Sequence, residues 1–336
     1  MTPPDPAVVI DLIDAFRRSK AMFTATSLGV FEYLSEASAS VAELAAKLSA
    51  NADALERLLD GCVGLGLLAK RDGRYANSAI SAAYLCRDSP NTFTGYVLYS
   101  DRILYQMWGN LEDAVREGTH RWKQTFQAEG SIFDHFFQNE ESKRTFLMGM
   151  HGYGVLSSPR VVEAFDLSRF SRLVDLGGAG GHLAIAACEK YPQLRAAVFD
   201  LPVVMAFAKE KVAASSVADR IDCIAGDFFT DELPPADLYA VGRILHDWSQ
   251  PKIERFLAEI HASLPAGGAL LVAERLLLPD KSGPIIPQMQ SLNMLICTEG
   301  KERTLDEYTA LLHAAGFRKV EGRITGSPLD AVLALK

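Results

Sequence analysis

Apolar and polar positions change their spacing once along this chain of 336 residues, at about residue 168. Before that point apolar side chains recur every three to four residues, as in amphipathic helices. Residues 7–34 carry two such patterns that break near Gly29. Ser40 and Glu43 make a capping-box pair ahead of the helix VAELAAKL, and Asn51 stands where it caps the next helix. Asp72-Gly73 between short strand-like flanks predicts a hairpin. Three helices and a hairpin form a winged-helix pattern. A long helix is expected over 91–118, bearing Tyr96, Tyr99, Tyr105 and Trp108. More helices are expected over 131–166, with a kink or break at Gly152, Gly154 and Pro159.

Beyond 168 short apolar runs alternate with helical patterns. Leu173, Val174 and Leu176 form a run bounded by turn residues, which fits a buried central strand. Further strands are expected at 196–200, 220–226, 237–244 and 269–274. Alternation of this kind gives a parallel, doubly wound α/β sheet. The last two runs, 318–324 and 330–336, flank the turn Thr325–Pro328 and are expected to pair as an antiparallel hairpin at the sheet edge.

Composition narrows the function. The hydrophobic share of 49% supports a large core, and the net charge of −8 argues against a nucleic-acid surface. The helix after Asn51 sharpens that exclusion, because Asp53, Glu56 and Asp60 outnumber Arg57. A winged helix of this charge is expected to serve contact with a second copy, not DNA. The cysteines are scattered, without a C-x-x-C pair, and read as free thiols. No signal peptide or membrane-length apolar run stands out, so a cytoplasmic protein without membrane contact is expected.

The candidate chemistry gathers at strand ends. Gly177, Gly178, Gly180 and Gly181 follow the first strand and precede the helix HLAIAACEK, a cradle that lets a ligand approach the main chain. The dinucleotide fingerprint G-x-G-x-x-G is not matched, because its last glycine falls on Leu183. Asp200 ends the second strand, where a carboxylate accepts hydrogen bonds from ribose hydroxyls. Asp227, Arg243, His246 and Glu274 follow later strands, at the edge where open α/β sheets bind ligands. Taken alone, His246 reads as a structural histidine at a helix start, and the aromatic stripe as core.

Together these residues carry a likeness. DLGGAGG (175–181), VFDLP (198–202), AGDFF (225–229), RILHDW (243–248), AERLL (273–277) and TEGKERT (298–304) resemble the class I S-adenosylmethionine (SAM)-dependent O-methyltransferases. The pattern is nearest that of the acetylserotonin (hydroxyindole) group, among enzymes acting on small molecules in plants and bacteria. The resemblance implies a Rossmann-like SAM-binding catalytic domain over 169–336, a helical linker and substrate lid over 91–168, and a winged-helix homodimerisation domain over 1–90. It implies SAM contacts from Gly177, Gly178, Asp200, Leu201, Gly226, Asp227, Phe228 and Arg243. It implies His246 as general base beside Glu274 and Glu302, and acceptor contacts from Asn293, Met294, Cys297 and Trp108. It implies transfer of a methyl group to a hydroxyl of a small aromatic acceptor, with S-adenosylhomocysteine (SAH) as product. No metal is expected, since no clustered acidic ligands follow the third or fourth strand.

The likeness has departures. Ala179 stands where the family usually has glycine. Phe137 and Gly154, with Tyr153 beside the latter, stand where animal hydroxyindole enzymes carry a tyrosine and a tryptophan near SAM. Two other readings share the same residues: a winged-helix regulator that senses SAM, and a family member turned to another reaction.

Overall fold

The computed structural model describes residues 3–127, 136, 137 and 139–336, which divide into two compact units, Met1–Tyr105 and Gln106–Lys336. In the first, α1 (Ala7–Leu28) ends on Gly29, whose φ of 79° provides the left-handed stop. The helix α2 (Val41–Leu48) opens on the Ser40–Glu43 capping box, and α3 (Ala52–Gly64) on the Asn51 side chain, which accepts the Ala54 N–H. Strands β1 (Leu68–Arg71) and β2 (Arg74–Asn77) are joined through Asp72 and Gly73, both at positive φ, and Ala39–Ser40 adds a short third strand beside β2. The expected winged helix is present. On α3 the acids hold the nearby cations: Asp53 pairs with Arg57 at 2.6 Å, and Asp60 with Lys70 at 2.8 Å.

The segment expected as one helix over 91–118 is broken into Thr94–Tyr99, a π-helical turn Ser100–Leu104, Tyr105–Trp108 and Leu111–Glu117. Gly109-Asn110, a poor helix-forming pair, separates the last two. The opposite correction applies further on. The described part of 131–166 holds one helix, α4 (Glu140–Glu163), that runs through Gly152, Gly154 and Pro159. Gly154 serves close packing rather than a break. A Cβ on Gly154 would lie 2.1 Å from the imidazole of His182. The start of that stretch, 131–135, and residue 138 lie outside the described residues.

The second unit then builds its sheet. The elements are β3 (Arg172–Leu176), α5 (His182–Lys190), β4 (Arg195–Asp200), α6 (Met205–Ala213), β5 (Ile221–Ala225) and β6 (Leu238–Gly242). They continue with α7 (Gln250–Ser263), β7 (Ala269–Glu274), α8 (Ile285–Cys297), α9 (Leu305–Ala314), β8 (Lys319–Arg323) and β9 (Asp330–Leu335). The spatial order is β8-β9-β7-β6-β3-β4-β5. The pairs from β7 to β5 are parallel, while β9 pairs antiparallel with both β7 and β8. This is a Rossmann-like sheet with the expected C-terminal hairpin at its edge. Apolar clusters cover both faces, one around Leu173, Ala184 and Val198 and the other around Val174, Phe256 and Leu312. Burial on both faces is why the central strands are continuous apolar runs. It also leaves the polar strand ends as the place for chemistry.

Candidate active site

The order of strands reverses between β3 and β6, and the glycine loop leaves β3 there. Gly177 and Gly181 both have φ of 70°, which a side chain rarely tolerates. A Cβ on Gly177 would lie 2.6 Å from Ile244 Cδ1, and one on Gly178 would lie 2.6 Å from the Asp175 carboxyl carbon. Ala179 holds φ of 48°, a left-handed alanine in the middle of the turn, at a cost of about 1 kcal/mol. Its N–H donates to Asp200 Oδ2 at 2.8 Å, and the Leu201 N–H donates to Asp200 Oδ1 at 2.7 Å. Asp200 is thus clamped between two strand ends. Burial pushes its carboxyl up to about 6, opposed by these two N–H bonds.

Gly226 leaves room for the Phe199 ring, which a Cβ would meet at 2.4 Å. Asp227 Oδ1 accepts the Phe229 N–H at 2.9 Å. Phe228 lies 4.7 Å from both Phe229 and Phe256, ring centre to ring centre, so it is part of the core as well as the rim. Arg243 adopts φ of 58°, an uncommon backbone state for a side-chain-bearing residue and one that clusters at functional sites.

The ends of β6 and β7 hold a different construction. Glu274 is buried at the end of β7, and its Oε1 accepts the N–H groups of Ile244, Leu245 and His246 at 3.0, 2.9 and 3.4 Å. This one carboxylate oxygen organises the turn that carries His246. Glu302 Oε1 lies 2.7 Å from His246 Nδ1, and Glu274 Oε2 lies 3.3 Å from the same nitrogen. The hydrogen-bond network therefore assigns the proton to Nδ1 and leaves Nε2 as the basic nitrogen. Nε2 is 3.7 Å from Asp247 Oδ1. Burial on its own would lower the imidazole pKa, but the carboxylates of Glu274, Glu302 and Asp247 outweigh it and raise the ring to about 9. Burial pushes Glu274 up to about 7, against the pull of His246. Atoms of His246, Glu274 and Glu302 suited to a metal lie within 4.8 Å of one another.

Glu302 reaches this place through Gly300. A Cβ there would fall 2.1 Å from the His246 carbonyl oxygen, so only glycine lets the 299–302 loop run against the histidine backbone. The Glu299 N–H donates to Asp247 O at 3.1 Å, and Arg303 Nη1 to Leu245 O at 3.2 Å, locking the two loops together. Sequence reasoning named Glu302 and passed over Gly300. The signal was a glycine set between charged residues in TEGKERT, where a flexible loop has no need of one.

Three of the four acceptor candidates come together, and Met294 is the chain neighbour of one of them. Trp108 Nε1–H donates to Asn293 Oδ1 at 2.9 Å, and Cys297 Sγ lies 3.9 Å from the same oxygen. Met294, Asn293 and Cys297 share α8 and are buried. Burial pushes the Cys297 thiol well up, so it is a packing group and not a nucleophile. His151 lies beside the glycine loop, His182 opens α5 directly after it, and Ser158 Oγ is 2.8 Å from His182 Nδ1. Burial lowers His151 to about 4 and His182 to about 3, so both rings are neutral.

A glycine cradle that any Cβ would fill, an anchored carboxylate at the next strand end and a half-buried aromatic fit an adenosine-bearing cofactor. The fold and site therefore define a Rossmann-like group-transfer enzyme. Comparison with known proteins makes the assignment definite. Residues 108–318 match an O-methyltransferase domain, and residues 10–87 an O-methyltransferase dimerisation domain. Acetylserotonin O-methyltransferase of Gallus gallus is 42% identical over 338 residues, spanning 98% of this chain and 97% of that one. The crystal structure of human N-acetylserotonin methyltransferase in complex with SAM matches with a TM-score of 0.93 at 39% identity, over 100% of this chain and 99% of that one. PigF with SAH matches with a TM-score of 0.89 at 30% identity, over 99% and 100%. The chain belongs to the O-methyltransferase family, and it is a SAM-dependent O-methyltransferase. Among the described residues no helix is long and apolar enough to cross a membrane.

Proposed function

We propose that the protein methylates the hydroxyl of a small aromatic acceptor of the hydroxyindole or phenol type, with His246 as general base and without a metal. The observation that carries this reading is the 2.7 Å contact of His246 Nδ1 with Glu302, made while Glu274 fixes the turn. When bound, SAM supplies an electrophilic methyl group on a sulfonium. Gly177, Gly178, Asp200, Leu201, Gly226, Asp227, Phe228 and Arg243 would hold it at the strand ends. Asn293, Met294, Cys297 and Trp108 would shape the acceptor side.

His246 has one task, to take the hydroxyl proton at Nε2. A phenol with pKa of about 10 is mostly protonated at neutral pH, so a base near it in strength makes the transfer close to thermoneutral. The carboxylates around His246 raise it into that range. Glu302 then stabilises the imidazolium by accepting from Nδ1, and Glu274 keeps the ring in place. The Nδ1–Glu302 hydrogen bond uses the atoms a metal would need, which supports a metal-free reaction.

Similarity to proteins named for acetylserotonin favours a hydroxyindole acceptor. Exposed Val8, Val9, Leu12, Ile13 and Phe16 on α1, within or beside the dimerisation-domain match, support a homodimer formed by the winged-helix part, and a cytoplasmic setting suits its free thiols. The test is transfer of labelled methyl from SAM to N-acetylserotonin and a set of simple phenols, with the product identified by mass spectrometry. An O-methyl product that survives EDTA supports the reading. Absence of methylation on every hydroxyl, or restoration by a divalent metal after EDTA, overturns it.

A further inference from the structure

The buried side of His246 carries more negative charge than the ring can answer. Glu274 and Glu302 are each 1% exposed, and the imidazole beside them 3%. One oxygen of each acid is engaged: Glu274 Oε1 by the N–H groups of Ile244, Leu245 and His246, and Glu302 Oε1 by His246 Nδ1 at 2.7 Å. The other oxygen of each, Oε2, is buried and accepts no hydrogen bond. The charges that act most on Glu274 are His246, Glu302 and Asp247, one base against two further acids. Arg303, next to Glu302 in the chain, spends Nη1 on the carbonyls of Leu245 and Lys301. Two buried carboxylate oxygens without a partner are costly unless a proton donor or a cation reaches them.

The chemistry and spacing of the set select the cation. An imidazole nitrogen with carboxylate oxygens is a zinc donor set, whereas Mg²⁺ takes oxygen ligands and keeps several waters. Ligand atoms about 2.1 Å from a tetrahedral ion stand about 3.4 Å apart. Glu274 Oε2 is 3.3 Å from Nδ1, and one donor atom from each of the three residues falls within 4.8 Å of the others. Both carboxylates are held from behind, Glu274 by the turn it organises and the Glu302 loop by the Glu299–Asp247 and Arg303–Leu245 bonds. Support of this kind orients metal ligands. Three protein ligands leave the fourth position of the ion to water.

We propose that His246 Nδ1, Glu274 and Glu302 bind Zn²⁺, and that the bound ion inhibits the enzyme by reversing the tautomer of its base. The ion takes the Nδ1 lone pair, so Nδ1 gives up its proton and the one ring proton of the neutral imidazole sits on Nε2. A protonated Nε2 cannot accept the hydroxyl proton of the acceptor. Metal binding and methyl transfer therefore exclude each other at one ring. Inhibition rests on the reading of Nε2 as the base, and binding does not.

The experiment titrates the SAH-loaded, full-length enzyme, stripped of metal with EDTA and dialysed, with Co²⁺ and then Zn²⁺. Tetrahedral Co²⁺ bands in the visible report the site, and Zn²⁺ is read by their loss and by calorimetry. One ion per chain is expected, with SAH affinity within about two-fold of the metal-free value. Glu302→Gln and Glu274→Gln, which keep the side-chain shape, are each expected to weaken Zn²⁺ binding by about ten-fold or more while still binding SAH. In the wild type saturating Zn²⁺ should lower methyl transfer by about ten-fold or more, and Mg²⁺ at the same concentration should leave it unchanged. Absence of binding overturns the proposal, as does binding that survives both substitutions, which the free cysteines would produce. Inhibition by Mg²⁺ equal to that by Zn²⁺ overturns it too. Zn²⁺ bound through both glutamates with methyl transfer intact keeps the site and rejects Nε2 as the base.

Discussion

The two halves of the catalytic strand ends are built on opposite plans. Around β3 and β4 the work is done by the main chain: glycines at left-handed φ, and N–H groups of Ala179 and Leu201 that clamp Asp200. Around β6 and β7 it is done by buried charge: one imidazole, two carboxylates within 3.3 Å of it, and backbone N–H groups satisfied by Glu274. The first half suits a ligand shared with many proteins, because backbone geometry is indifferent to the acceptor. The second sets proton affinity, because in a water-poor site a carboxylate shifts a neighbour by several pKa units.

This contrast yields experiments that break or sharpen it. The largest effect is expected for His246→Ala, which should lower kcat by about 10²–10⁴-fold while SAH affinity by calorimetry stays within about two-fold. A matching loss of SAH affinity would show that the halves are not separable. Glu302→Gln comes next, with kcat/KM reduced by about ten- to hundred-fold. It should also move the pH profile. In the wild type the productive form is neutral His246, whose pKa is raised to about 9, so kcat/KM rises as pH climbs through that value. Removing one carboxylate lowers the imidazole pKa, so the rising limb moves to lower pH. A limb that stays in place would detach Glu302 from the base.

The glycine side gives smaller and differently placed effects. Gly178→Ala drives a Cβ to 2.6 Å from the Asp175 carboxyl carbon, and should cost about 1–3 kcal/mol of stability. Its SAH affinity should fall while the pH limb remains where it was. Ala179→Gly relieves a left-handed alanine and should stabilise the fold by about 0.5 kcal/mol, read as a rise in Tm.

How much could be read in advance follows the same division. The glycine cradle, Asp200 and the alternating strands were legible because their logic is local: apolar runs, turn residues and strand ends lie next to one another in sequence. The capping boxes at Ser40 and Thr304 belong to the same kind, although only the first was singled out. The charge cluster is not local. Glu302 lies far along the chain from His246, and likeness to a family named it where spacing could not. The uninterrupted course of α4 departs from the kink or break expected at Gly152, Gly154 and Pro159. The reason for Gly154 is the close approach of His182 on α5, which exists only in three dimensions.

Arg243 combines an unfavourable backbone angle with a guanidinium set over the Tyr153 ring. Glycine would sit there more comfortably, yet it has no guanidinium to offer. A library selected for heat resistance is therefore expected to drift toward glycine at this position, and one selected for turnover to keep arginine. The position marks where durability and work part company in this enzyme.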